Sequence, residues 1–166
     1  MGLFQGTCAI VSFLHAPGFC KMSTVSGQFA DASAWINGGL HLTLKSSTPA
    51  YAGFKVDFTS DNMPVPQGFR HGYPAFKAAF TLPTEARGEF VTVRVPFSDF
   101  SVDTSEYTGR CDTTDPNGLH HHCCSAAHPE VCPMPDHLRS LRGMQLWAEG
   151  VEGAFELEIR SIEAGP

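Results

Sequence analysis

The sequence predicts an all-β protein, an antiparallel β-sandwich of jelly-roll type that carries one long Cys/His-rich loop. Apolar and polar residues alternate with period two in short segments, Gly, Pro, Asn and Asp separate those segments, and no stretch has convincing helical periodicity. About seven or eight strands with a single insertion fit a sandwich. With no internal repeat or low-complexity linker, the chain reads as one domain spanning 1–166.

The first strand is expected over Thr7 to Leu14. In GLHLTLKS, Leu40, Leu42 and Leu44 point one way and His41, Thr43 and Lys45 the other. AGFKVDF repeats the pattern, with Phe54, Val56 and Phe58 inward and Lys55 and Asp57 outward toward water. PAFKAAFTL follows with Phe76, Ala78, Phe80 and Leu82 inward. EFVTVRVPF places Val91, Val93, Val95 and Phe97 on one face, and Pro96 closes it because proline cannot donate to a ladder. GMQLWAEG and GAFELEIRSI are the last two strands, and the GVEG between them reads as a hairpin turn. Asp57, Asp61 and His71 fall around strand ends and read as solubilising turn residues.

A hydrophobic content of 42% over 166 residues supplies a core that needs no metal or disulfide to fold. The net charge of −6, without a dense Lys/Arg stripe, excludes a binder of nucleic-acid backbones. No segment approaches the roughly 18 consecutive apolar residues of a transmembrane helix, so membrane contact is expected to be peripheral. The start, MGLFQGTCAIVSFLHAPGF, has a short apolar run and no basic residue before Lys21, and reads as mature structure rather than a secretory signal.

The insertion from Tyr107 to His137 holds four of the six cysteines and five of the eight histidines, which raises two chemistries. A structural zinc would draw on Cys111, Cys123, Cys124, Cys132, His120, His121, His122, His128 and His137. The spacing C-x11-C-C-x7-C matches no standard finger or ribbon, and adjacent cysteines suit one tetrahedral ion poorly. Disulfides among Cys111, Cys123, Cys124 and Cys132 are the preferred reading. A loop of about 30 residues with little apolar content needs a covalent tie to hold a shape. Three pairings are open. Cys8 and Cys20, flanking the first apolar run, read as buried small hydrophobes.

A cysteine–histidine nucleophile on a flexible insertion lacks the rigid support catalysis requires, so no catalytic residue is assigned. Asp99, Asp103, Glu106, Asp112 and Asp115 lack the spacing of a calcium loop and read as a solvated acidic stretch. Function is expected instead from docking, with Trp35, His120, His121, His122 and His128 as partner-contact candidates. A carbohydrate module is the alternative, for which Trp35, Tyr51, Phe69, Tyr73 and Trp147 supply aromatic surfaces. Tyr51 and Tyr73 open strands and Trp147 lies inside one, which leaves Trp35 as the best exposed of them.

The ordered set GGLHLTLKSSTPAYAGFKVDF, YPAFKAAFTL, FVTVRVPFSDF and LRGMQLWAEGVEGAFELEIRSIEA resembles the complex I intermediate-associated protein 30 domain family. The resemblance runs from Gly38 to the end, with VPFSDF, Val95 to Phe100, its most specific piece. The family's tryptophan-containing first strand and Val-Met-Gly-Gly turn are not visible before GTCAIVSF. The resemblance implies a galactose-binding-like jelly roll without a catalytic signature or cofactor. It implies a non-catalytic accessory subunit or assembly factor of an organellar membrane bioenergetic complex, a photosystem or respiratory complex I. Stapled cysteines suit an oxidising space such as the thylakoid lumen or the intermembrane space over matrix or stroma, and of the two organelles the plastid thylakoid is favoured over the mitochondrial inner membrane. The loop is then expected to be a docking insertion without which the strands still fold.

Overall fold

Strands form where the alternation is strongest. The computed structural model describes residues 1–11, 13, 16–25, 29–70 and 72–166. Its strands in chain order are β1 (Gly2–Cys8), β2 (Ile10–Val11), β3 (Ala16–Pro17), β4 (Phe19–Ser23), β5 (Gly39–Lys45), β6 (Phe54–Ser60), β7 (Phe76–Ala79) and β8 (Val91–Pro96). Then come β9 (Thr113–Thr114), β10 (His120–His121), β11 (Leu141–Glu149) and β12 (Gly153–Gly165), with one short helix, α1 (Pro135–Arg139), before β11. Two four-stranded antiparallel sheets, ordered β1-β12-β5-β8 and β4-β11-β6-β7, make the sandwich. No helix among the described residues is long and apolar enough to cross a membrane.

The inward residues of both sheets fuse into one core. Leu40, Leu42 and Leu44 of β5 and Phe155 and Leu157 of β12 face Phe54, Val56 and Phe58 of β6 and Met144, Leu146 and Ala148 of β11. Phe80 and Leu82 are buried beyond the end of β7, whereas Val91 and Val93 are only half-buried because β8 is an edge strand. Phe58, 1% exposed, lies 5.3 Å from Phe76, 6.0 Å from Phe97 and 5.2 Å from Phe100, ring centre to ring centre. The VPFSDF stretch thus turns from β8 directly into this aromatic nest.

Two expectations are corrected. The first strand is Gly2–Cys8, not Thr7 to Leu14, because its ladder with β12 ends at Cys8↔Gly153, where β12 begins. The apolar run continues instead into the two-residue ladder β2/β3, with Ile10 52% exposed; Leu14 lies outside the described residues. GVEG is not a hairpin turn: β11 and β12 belong to different sheets, each already flanked on both sides, so Gly150 to Gly153 carries the chain across the sandwich. The insertion meets the strands by packing and hydrogen bonds. Val131 is buried in the core, its carbonyl accepts from the Val102 amide at 3.0 Å, and Ser101 Oγ donates to the His122 carbonyl at 2.7 Å.

Phe58→Ala would open a void among three aromatic rings. It should cost about 3–5 kcal/mol of unfolding free energy, read as a lower urea midpoint without reducing agent.

Candidate functional site

The outer face of the β4-β11-β6-β7 sheet carries the polar phase of its strands, and the chain folds over it. Lys21, Trp147 and Lys55 form one rung across β4, β11 and β6, and Gln145, Asp57 and Lys77 form the next across β11, β6 and β7. Above them the segment Thr104–Glu106, at the root of the insertion, and Phe69, Gly72, Tyr73 and Ala75 raise walls. Between lies a cleft of about 480 Å³, floored by Trp147, Asp57, Lys77, Gln145 and Glu149. Its rim is aromatic, with Phe19 59% and Tyr73 91% exposed.

The charges under this cleft answer one another. Lys55, 1% exposed, donates to the Glu149 carbonyl oxygen at 2.8 Å. Burial pushes its ammonium down to about 8, with Glu149 opposing the shift. Lys77 Nζ lies 2.7 Å from Glu149 Oε1 and 3.8 Å from the centre of the Trp147 ring, so it meets a carboxylate and a π-face at once. The Trp147 indole donates to Asp57 Oδ2 at 2.7 Å, while Oδ1 is buried without a hydrogen-bond partner among the described residues. Burial pushes the Asp57 carboxyl up to about 6 against the pull of Lys77 and Trp147. Gly109, at φ +67°, lets the loop root sit on this layer: a Cβ there would overlap the Glu149 carboxylate and crowd Lys55.

Beyond the root the insertion is fixed covalently and ionically. Cys111 bonds to Cys123 and Cys124 to Cys132, one of the three pairings open to the sequence. Closing these short rings contributes about 2.5–3 kcal/mol each by restricting the unfolded chain. His121, 4% exposed, sits between two carboxylates, with Nδ1 2.7 Å from Asp103 Oδ1 and Nε2 2.8 Å from Asp115 Oδ2. Both nitrogens donate when the ring is an imidazolium. Burial works against that charge, but the hydrogen bonds to Asp115 and Asp103 hold the His121 pKa above its ordinary value. Ser105 Oγ donates to Asp115 Oδ1 at 2.5 Å, and the His122 amide donates to Asp103 Oδ2 at 2.8 Å, which completes the clamp. A second cavity of about 120 Å³ lies against it and shares Phe69, Thr104 and Glu106 with the cleft.

The docking candidates therefore separate. His122 stacks on His128 at 3.9 Å and meets the edge of His120 at 5.0 Å, an imidazole row at the loop surface. His121 faces inward and holds the loop together. Trp35 is 41% exposed in a 3-10 turn beside α1, and is not among the residues lining the cleft. The solvated readings of Asp57, Asp103 and Asp115 are corrected, since 1%, 8% and 7% of their surfaces are exposed. Asp61 is a surface residue paired with Arg142, and His71 lies outside the described residues. With four sulfurs in disulfides and His121 between carboxylates, no group of three His, Cys, Asp or Glu among the described residues is placed to hold a metal ion.

Two pH windows follow. The His121 pKa is raised in the folded state, so its stabilisation is complete below pH 6.5 and is lost as pH rises through the folded value. His121→Gln should cost about 3–5 kcal/mol near pH 6 by leaving two buried carboxylates unanswered, and should lack the loss above pH 6.5 expected of the native chain. The Asp57 pKa is also raised, so stability should decline by about 2–3 kcal/mol as pH rises from 3.8 through about 6. Asp57→Asn should abolish that decline. Urea titrations across pH check both expectations.

Comparison with known proteins adds no family to this geometry: no protein-family model matches the chain, and no curated protein matches it.

Proposed function

We propose that the chain is a non-catalytic protein-binding module, an accessory subunit or assembly factor of an organellar membrane bioenergetic complex, a photosystem or respiratory complex I. The carrying observation is the pre-organised insertion. Two disulfides and the His121 clamp hold a surface row of His120, His122 and His128, so little ordering entropy is lost when a partner docks on it. The charges beneath the cleft support a binding role as well, because Lys55, Lys77 and Glu149 are engaged with each other rather than poised toward a reactant. The likeness of GGLHLTLKS, VPFSDF and the final strand to the complex I intermediate-associated protein 30 family supplies the class of partner. The module works at the membrane surface, on an oxidising side such as the thylakoid lumen or the intermembrane space, because the stapled loop suits an oxidising compartment.

A carbohydrate-binding role is the second reading, favoured by the cleft itself. Its volume of about 480 Å³ suits a small ligand, and Trp147, Phe19 and Tyr73 stand beside Asp57, Gln145 and Glu149 as aromatic surfaces beside polar groups.

Native purification of the full chain from organelle membranes, followed by mass spectrometry, tests the first reading. The native chain should bring down the subunits of one bioenergetic complex in constant ratio. A variant with His120→Ala, His122→Ala and His128→Ala should fold with unchanged stability and lose at least tenfold of that recovery. A chain recovered alone that binds oligosaccharides by calorimetry, with affinity lost in Trp147→Ala, would replace the protein-docking reading with the carbohydrate one.

A further inference from the structure

Two cysteines stand outside the stapled insertion, and they face each other across the seam of the sandwich. Cys8 ends β1 in one sheet and Cys20 lies in β4 of the other; both strands are sheet edges, and residues of β1 and β4 approach within 8 Å, Cα to Cα. Cys8 Sγ donates to the carbonyl oxygen of Ala148 at 2.9 Å, and Ala148 is the ladder partner of Cys20. From the other side, Cys20 Sγ lies 3.8 Å from where a Cβ on Gly6 would stand, two residues before Cys8 on the same face of β1. Cys8 Sγ thus reaches the rung of Cys20, and Cys20 Sγ reaches β1 two residues from Cys8. Burial first, then the adjoining Cys8 thiol, pushes the Cys20 thiol up. Cys8 is 3% exposed, while Cys20 is partly open to solvent.

We propose that Cys8 and Cys20 are an oxidisable pair that closes to a disulfide between the two sheets, with a small-molecule or protein disulfide as oxidant. The Cys20 thiol loses its proton and attacks the oxidant, forming a mixed disulfide and releasing one thiol. The Cys8 thiol then loses its proton and attacks Cys20 Sγ, expelling the second thiol. Two protons and two electrons leave the pair, and the oxidant is reduced to two thiols. The raised Cys20 value makes the first attack slow at neutral pH and faster in alkali. The bond would fasten β4, whose Phe19 and Lys21 flank Cys20 and line the cleft, to β1, so the oxidation state of the pair fixes one wall of the cleft.

The full chain, incubated natively with oxidised glutathione, denatured with iodoacetamide and digested without reductant, tests this by mass spectrometry. A Cys8–Cys20 linked peptide lighter by two hydrogens, with Cys111–Cys123 and Cys124–Cys132 intact, is the expected product. The linked protein should also show a higher urea midpoint. Protein isolated already linked counts the same way. Cys8→Ser should retain glutathione on Cys20 without a rise in midpoint, and Cys20→Ser should take up none on the buried Cys8. Recovery of both native cysteines in alkylated form, glutathione left on Cys20 of the native chain, or a bond from either cysteine to the insertion would overturn the proposal.

Discussion

The outer face of β6 carries two opposite charges that water does not reach. Lys55 and Asp57 are each 1% exposed, on a strand whose other face is packed with Phe54, Val56 and Phe58. A buried charge is costly unless it is paired or hydrogen-bonded, so whatever lies above this strand must bring polar answers. The Glu149 carbonyl answers Lys55, the Trp147 indole answers one oxygen of Asp57, and Lys77 bridges Glu149 and the indole. These partners come from β7 and β11, which flank β6 in the sheet, so register and polar satisfaction fix each other. The loop root then has to stay down. Gly109 permits its close approach, and the clamp of Asp103, Ser105, Asp115 and His121 holds the chain on either side of it.

Alternation is legible because the pleat imposes it. Leu40, Leu42, Leu44, Phe54, Val56, Phe58, Phe76 and Ala78 all fall inward by a period of two, and all are buried. The same signal says which side of a strand is apolar but not which sheet the strand joins. GVEG looks like a hairpin because its glycines permit a tight turn, with Gly150 at φ +75°; only the occupancy of both neighbouring edges makes it a crossover. The first strand was misplaced for a related reason. CAIVSFL is the most apolar run near the start, yet the strand with a partner is the less apolar GLFQGTC, because β12 offers hydrogen bonds only as far as Gly153.

The site was legible in its chemistry and illegible in its geometry. Four cysteines in one loop announced disulfides, and the pairing had to come from the structure. The three consecutive histidines looked equivalent, but they divide by the alternation of β10 and the residue after it: His121 turns in to two carboxylates, while His120 and His122 turn out. The cleft left one trace in the pattern. Trp147 falls in the polar phase of GMQLWAEG, where a large aromatic has no place on a strand facing plain solvent. Lys55 and Asp57 left no trace, since a polar phase looks the same under water and under a lid.

The two kinds of closure in this molecule act over different distances along the chain. Cys111–Cys123 and Cys124–Cys132 join residues 12 and 8 positions apart, whereas β1 pairs with β12, the last strand described. During synthesis the insertion can acquire both bonds once Cys132 has emerged into an oxidising space, while the sandwich stays open until the final strand is made. The stapled segment is therefore an early landmark and the seam between first and last strands a late one. A nascent chain held between those two events would display a finished insertion on an unfinished body, with the edge of β12's future place still vacant.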